Sequence, residues 1–306
     1  MRHLLITVDV EDWFQVENFR DCIPFSSWPS CQMRVEQNTH VLLDLFDSAA
    51  EKSGQPNAPR TSRDCAGPSN SRGLHATFFV LGWIARRLPS LVREIQSRGH
   101  EVASHGENHF LHYDCSGEKL KEDLSDSKKL LEDIIGCEVH GYRAPSFSID
   151  YDALKLIKDC GYHYDSSFNS FGGNARYGKM DLSGRERVGI AYKLADAFYE
   201  LPISNIPVGR QSLPVGGGGY FRVIPAPLMR WCIRRILENE RAYLFYIHPW
   251  EIDLGQPRVQ GCSRLSRYRH YANLHKTLPK LSGLIDTFRD CCFNSCRQYL
   301  ESLSAG

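Results

Sequence analysis

An α/β fold, a distorted β/α barrel of about seven parallel strands with a C-terminal extension, is what this sequence predicts. Short apolar, β-rich runs alternate with amphipathic helical stretches along most of the chain, and several of those runs end abruptly in carboxylates or histidines. Alternating β and α units favour a parallel sheet with helices outside. Polar groups collected where strands end mark the rim on which barrel active sites form.

The first strand is read over Leu4–Val10, where a Leu-Leu-Ile-Thr-Val run leads into Asp9. Runs of the same kind follow at His75–Val80, His100–His105, Val139–Ala144, Tyr162–Ser166, Tyr199–Ile203 and Tyr243–His248. Apolar spacings of three and four predict helices near Asn38–Ala50, Trp83–Arg98, Lys119–Ile135, Tyr151–Cys160 and Pro225–Glu240. Two segments leave the rhythm. Ser53–Arg72 is rich in Gly, Pro, Ser, Asn and Arg with almost no apolar content, and reads as a flexible surface insertion. Val215–Tyr220 contains four consecutive glycines but lacks the Gly-Lys-Ser/Thr ending of a phosphate loop, so it reads as a turn beside a substrate cleft.

The charge balance, 37 Lys+Arg against 36 Asp+Glu, gives no electrostatic case for nucleic acid or an anionic membrane surface. No apolar run is long enough for stable membrane insertion. The first residues turn acidic at Asp9, too soon for a signal peptide. With eleven scattered cysteines, this predicts reduced thiols and a cytoplasmic location. Cys291, Cys292 and Cys296 lack paired Cys-x-x-Cys spacing and read as part of an amphipathic helix, not a metal site. Whether the chain forms a homo-oligomer is left open.

The strongest chemical signal is His105 and His109, four apart and directly after an apolar run. Such a pair can reach one metal ion, although an isolated pair is as often two surface histidines. His112 fits the spacing less well and reads as a surface residue. Asp9, Glu11 and Asp12 crowd the end of the first run, which is costly unless a cation or an arginine is present; the bland alternative is a solvated acidic loop. One carboxylate plus two histidines is a common open ligand set. Arg143 can pair with a buried carboxylate and keep it ionised. His248 arrives at the same rim after Tyr243–Ile247, and Asp165 ends another run.

In this order, Asp9/Asp12, His105/His109, Arg143-Ala144-Pro145, Asp165 and Ile247-His248 resemble the five motifs of the NodB-homology polysaccharide deacetylases, carbohydrate esterase family four. Ala76–Gly82 and Arg98–His105 also look like that family, and the resemblance runs from about residue 4 to residue 250. The wording of Val8–Trp13 and His248–Glu251 is similar to a subgroup from bacterial exopolysaccharide loci linked to exosortase. The resemblance implies a catalytic domain over 1–250, interrupted at 53–72, with 251–306 as an extension packed on the barrel. It implies Zn²⁺ held by Asp12, His105 and His109, with Co²⁺ or Ni²⁺ accepted by the same ligands. Asp9 would be general base, Arg143 would keep it ionised, and His248 would be general acid, held cationic by Asp165. The implied substrate is an N-acetylated glycan that loses acetate during exopolysaccharide biosynthesis.

This sequence departs from the family at three places. The family's first motif has adjacent aspartates, whereas Val10 and Glu11 separate Asp9 from Asp12, so Glu11 stays an alternative metal carboxylate. Ser146 stands where an aromatic residue usually follows the proline, and Phe168 stands in for a tryptophan. A branch that hydrolyses cyclic amides or ureides also has an altered first motif; Trp13, Phe14, Phe168, Tyr220, Phe221 and Trp250 favour a carbohydrate over it. An inactive sugar-binding member is the non-enzymatic alternative, opposed by the intact Asp9, His105, His109, Arg143 and His248. The insertion yields a first test. Loop-closure entropy changes slowly with length, so replacing Gln55–Ser71 by a short Gly/Ser link is expected to leave melting temperature and activity nearly unchanged, and a large fall in either would place the segment against the site.

Overall fold

A computed structural model describes residues 1–52, 73–174, 176–178, 180–209 and 211–304. The insertion read at 53–72 lies outside the described residues. In chain order the strands are β1 (His3–Val10), β2 (Ala76–Val80), β3 (Glu101–Ser104), β4 (Gly141–Tyr142), β5 (Tyr164–Asp165), β6 (Glu186–Val188), β7 (Ala191–Ala195), β8 (Phe198–Glu200), β9 (Ile206–Val208), β10 (Gln211–Leu213), β11 (Ala242–Ile247) and β12 (Cys292–Phe293). The order β11-β1-β2-β3-β4-β5-β8 runs through seven strands, and every neighbouring pair is parallel. These seven are the predicted ones, several of them shorter than read. β7 and β6 extend the sheet past β8 in antiparallel fashion, and β9–β10 form a separate hairpin.

Residue parity explains how β1 works at the centre of this sheet. Leu4, Ile6, Val8 and Val10 point to the main core, whereas Leu5 joins a second cluster with Phe79, Ala103, Tyr164 and Leu244 inside the curl. Alternate residues of a strand face opposite ways, so Thr7 and Asp9 follow Leu5 inward. A strand buried on both sides needs a near-continuous apolar run, which β1 has until it reaches its inward-facing polar end.

The helices are α1 (Val35–Lys52), α2 (Gly82–Arg87), α3 (Pro89–Ser97), α4 (Gly117–Ile135), α5 (Tyr151–Asp159), α6 (Gly218–Val223), α7 (Ala226–Glu240), α8 (Arg264–Tyr271), α9 (Leu274–Thr287) and α10 (Cys296–Ser304). The helix read over Trp83–Arg98 is two helices. Pro89 forces Leu88 out of helical conformation (φ −128°, ψ 57°) and starts α3 afresh. α4 is delimited by its own caps: Ser116 Oγ accepts from Lys119 N, and Gly136 turns left-handed at φ 68°.

β8 and β11 do not pair, so the barrel is open there. The intervening chain lies along the opening: Leu244 N donates to Ser204 Oγ at 2.9 Å and Tyr246 N to Gly216 O at 2.8 Å. A Cβ at Gly217 (φ 140°) would stand 2.0 Å from Tyr246 O, so only glycine lets the backbone come this close. The glycine run is therefore pinned against β11 and then opens α6.

Two cysteine expectations need correction. Cys292 lies in β12, beside the start of β1, and not in a helix, while Cys296 opens α10. The thiols are not all reduced, because Cys22 and Cys262 form a disulfide with Cα atoms 5.8 Å apart. It joins the segment after β1 to the segment before α8. No helix among the described residues is long and apolar enough to cross a membrane. Because the bond closes a loop of 240 residues, Cys22→Ser is expected to cost about 2–4 kcal/mol and to lower the melting temperature by several degrees. Identical melting of parent and variant without reductant would show that the bond adds no stability.

Candidate active site

Arg143, directly after β4, is fully buried. Its Nη1 donates to Asp9 Oδ1 and to Thr7 Oγ1, both at 2.7 Å, while Nε and Nη2 donate to Ser166 O and Oγ at 2.9 Å. The Phe79 ring lies 4.1 Å from the guanidinium carbon. A charge can be buried here because four of its five N–H donors are directed at partners. The same residue sets a tautomer: His105 Nδ1 lies 2.7 Å from Arg143 O, which requires the proton on Nδ1 and leaves the Nε2 lone pair free. Burial pushes His105 down to about 4, so this imidazole is neutral at physiological pH.

Opposite His105 stand Glu11 and His109. His109 Nε2 lies 2.7 Å from Glu11 Oε2. Glu11 Oε1 lies 3.3 Å from His248 Nε2 and accepts from Trp250 Nε1 at 3.3 Å. Burial pushes the Glu11 carboxyl up, but His109 and His248 outweigh it and hold the group near 2. Ligand atoms of Glu11, His105 and His109 all lie within 4.8 Å of one another.

Asp12, expected in that set, faces elsewhere. Its carboxylate accepts from Trp13 N at 2.8 Å, Arg34 N at 2.6 Å and Val35 N at 2.9 Å, which caps the start of α1. The reason is parity: Glu11 is two residues beyond Asp9 and shares its side, and Asp12 is three beyond. Burial raises the Asp12 carboxyl to about 6.

His248 follows β11, and its Nε2 is 3.8 Å from Asp9 Oδ2. Its Nδ1 meets Glu251 Oε1 at 2.7 Å, and Glu251 Oε2 meets Arg222 Nε at 2.8 Å. Arg222 is anchored by the carbonyls of Arg269, His270 and Ala272. Burial works against a charge on His248, but Glu11, Glu251 and Asp9 raise it to about 9. Trp250 stacks on its ring, with centroids 5.2 Å apart.

Asp165, expected beside His248, is not there. It is buried in β5 opposite Glu200, and accepts from Ser167 N and Oγ at 3.1 and 2.7 Å. Burial raises both carboxyls, Glu200 furthest, with the neighbouring Asp165 adding to the effect. The pair steadies the Ser166-Ser167 corner that grips Arg143. His112, read as a surface residue, is buried with Nε2 at 2.9 Å from Tyr142 OH. Glu251 and Arg222 were missed by sequence reading; the only cue was a carboxylate three residues after His248.

Asp9, Glu11, His105, His109 and His248 line one cavity of about 470 Å³. Of the aromatics expected around a sugar, Tyr220 and Trp250 line it; Trp13, Phe14 and Phe221 are buried in the core, and Phe168 is not in the lining. Phe147, Tyr177, Tyr246 and Tyr268 complete the walls, and Ser146 sits among them in left-handed conformation at φ 52°.

A family model described as "Polysaccharide deacetylase" matches residues 58–164, which include His105, His109 and Arg143. The chain carries a polysaccharide deacetylase domain. A second model, a domain of unknown function, matches residues 166–301 and takes in His248 and Glu251; it fits the exopolysaccharide subgroup of these proteins. A peptidoglycan-N-acetylglucosamine deacetylase of Bacillus cereus is 37% identical over 128 residues, 42% of this chain and 56% of that protein. A chitooligosaccharide deacetylase of Azorhizobium caulinodans is 29% identical over 129 residues, 42% of this chain and 58% of that protein. The chain thus spans little more than half the length of these curated relatives. A solved Mycobacterium smegmatis structure, described as a polysaccharide deacetylase, is similar across 99% of this chain and 90% of its own, with TM-score 0.59 and 17% identity, a likeness of fold.

The His248 environment gives a direct pH test. In chelator-treated protein, nitrogen-resolved NMR is expected to show His248 doubly protonated at pH 7, losing its proton near pH 9. A pKa raised by folding contributes stability that is complete below the unfolded value of about 6.5 and is lost as pH rises through 9. Glu251→Gln should lower the midpoint by a unit or more, and an unmoved midpoint would remove Glu251 from this role.

Proposed function

We propose that this domain is a metal-dependent N-deacetylase that hydrolyses the acetamide of an N-acetylated glycan. The observation that supports this most is the convergence of Glu11, His105 and His109 at the base of an aromatic-walled cavity, beside an arginine-paired Asp9 and a glutamate-paired His248. The donor set suits Zn²⁺, and Co²⁺ or Ni²⁺ are also acceptable: two imidazoles, one with its tautomer already set, and an ionised carboxylate, with positions left for water and substrate. A bound divalent ion would polarise the acetyl carbonyl and lower the pKa of water toward about 7.

The remaining chemistry belongs to the chain. Asp9 Oδ1 is committed to Arg143, which leaves Oδ2 to take the proton of the attacking water. Arg143 holds that carboxylate fixed in direction. A backbone N–H near Ser146 would help the metal stabilise the oxyanion. As the carbon–nitrogen bond breaks, His248 Nε2 gives its proton to the leaving nitrogen, and Glu251 with Arg222 keeps the ring oriented and charged. Water and amide become acetate and a free amine.

One curated relative is named for peptidoglycan N-acetylglucosamine and the other for chitooligosaccharide, and the aromatic walls suit sugar faces better than a cyclic ureide. The second matched domain supports a role in exopolysaccharide biosynthesis. The Cys22–Cys262 bond favours an oxidising compartment over the cytoplasm.

Acetate release from N-acetylated oligosaccharides and cyclic amides, with chelator and then with restored Zn²⁺, tests the whole reading. Release only from sugars, and only with metal, is expected; release from cyclic amides alone would overturn it. Glu11→Ala is expected to strip the ion, whereas Asp9→Asn should keep it and lose turnover. Asp12→Ala should lower melting temperature, and if it alone stripped the ion the ligand assignment would be wrong. His248→Asn should cut amide turnover roughly 10²–10⁴-fold and an activated ester far less. Equal losses on both would assign His248 a structural role.

A further inference from the structure

The opposite end of the barrel carries a second group of ligand-type side chains that the deacetylase chemistry does not use. His140 precedes β4 and His163 precedes β5, so the two lie where parallel neighbours begin, away from the rim that holds His105 and His248. The backbone fixes them together: His163 N and Tyr164 N both donate to His140 O, at 2.7 and 3.2 Å. Their ring nitrogens Nδ1 face each other at 2.7 Å. Glu138 completes the group, with Oε1 3.5 Å from His163 Nε2 and Oε2 3.9 Å from His140 Nε2. One ligand atom from each of the three can be chosen within 4.8 Å of the others.

We propose that Glu138, His140 and His163 form a second, surface site for a divalent transition metal such as Zn²⁺. Two facing imidazole nitrogens can share one proton, but two protons there repel, so the pair favours a form with a free lone pair. A metal–nitrogen bond of roughly 2.0–2.1 Å requires the facing nitrogens to open by about half an ångström, within reach of a side-chain rotation. Borderline-soft ions accept imidazole with carboxylate, and half-exposed His163 and Glu138 leave water to complete the shell. The nearby cations do not occupy the site: Lys128 is paired with Glu132 and Arg297 with Glu301, each at 2.7 Å. A metal here would clip the starts of β4 and β5, the strands that deliver Arg143 and the Ser166 corner.

The test is metal stoichiometry of the full, tag-free chain after Zn²⁺ loading and gel filtration, by elemental analysis, with melting temperature measured alongside. The parent is expected to hold two equivalents, H105A/H109A one, H140A/H163A one and the quadruple variant none. Zn²⁺ should raise the melting temperature of H105A/H109A but not of the quadruple variant. Half-exposed His163 tolerates replacement without disturbing the core, so H163A alone should weaken the second equivalent at least tenfold. The inference fails if H140A/H163A keeps the parent stoichiometry, or if H105A/H109A holds no metal. Full retention by H105A/H109A, with loss of one equivalent in H140A/H163A, would count against the proposed catalytic ligands and leave this site standing.

Discussion

The buried pair between Arg143 and Asp9 is the contact on which the rest of the site depends. One guanidinium fixes Asp9, anchors the Ser166 corner and, through its own carbonyl, sets the His105 tautomer. Removing one partner of such a pair leaves an uncompensated buried charge, a loss of about 3–5 kcal/mol. Fold and site therefore share a single constraint: the residue that holds Asp9 in place also orients His105, a member of the proposed ligand set.

Across the cavity, the chain from His248 through Glu251 to Arg222 repeats the pattern with opposite sign. A buried cation is neutralised by a carboxylate, which a second cation holds in turn. Trp250 supports both sides of this chain, stacking on His248 and donating to Glu11. The two halves meet over Glu11, which lies against His109 on one side and His248 on the other.

Much of this was legible in the sequence. The seven parallel strands follow from apolar runs, and His105, His109, Asp9, Arg143 and His248 are found at strand ends because the rim of such a sheet collects polar groups. Asp12 was misplaced by motif position although alternation along β1 already favoured Glu11, which shares a face with Asp9. The Asp165 role was not legible, since no local pattern reveals that Glu251 reaches His248 first or that Glu200 lies across from Asp165. Pairings formed between distant segments, such as Arg222 with Glu251 or Cys22 with Cys262, exist only once the sheet has curled.

The position of β1 has a consequence for synthesis. The strand pairs with β2 on one side, yet its neighbour on the other, β11, spans residues 242–247. A growing chain can close β1 against β2 early, but the other edge stays unpaired until residues 242–247 have left the ribosome. That edge is apolar on both faces, the kind that recruits stray strands. Folding of this barrel is thus expected to be slow, dominated by long-range closure, and dependent on protection of β1 until β11 has been made.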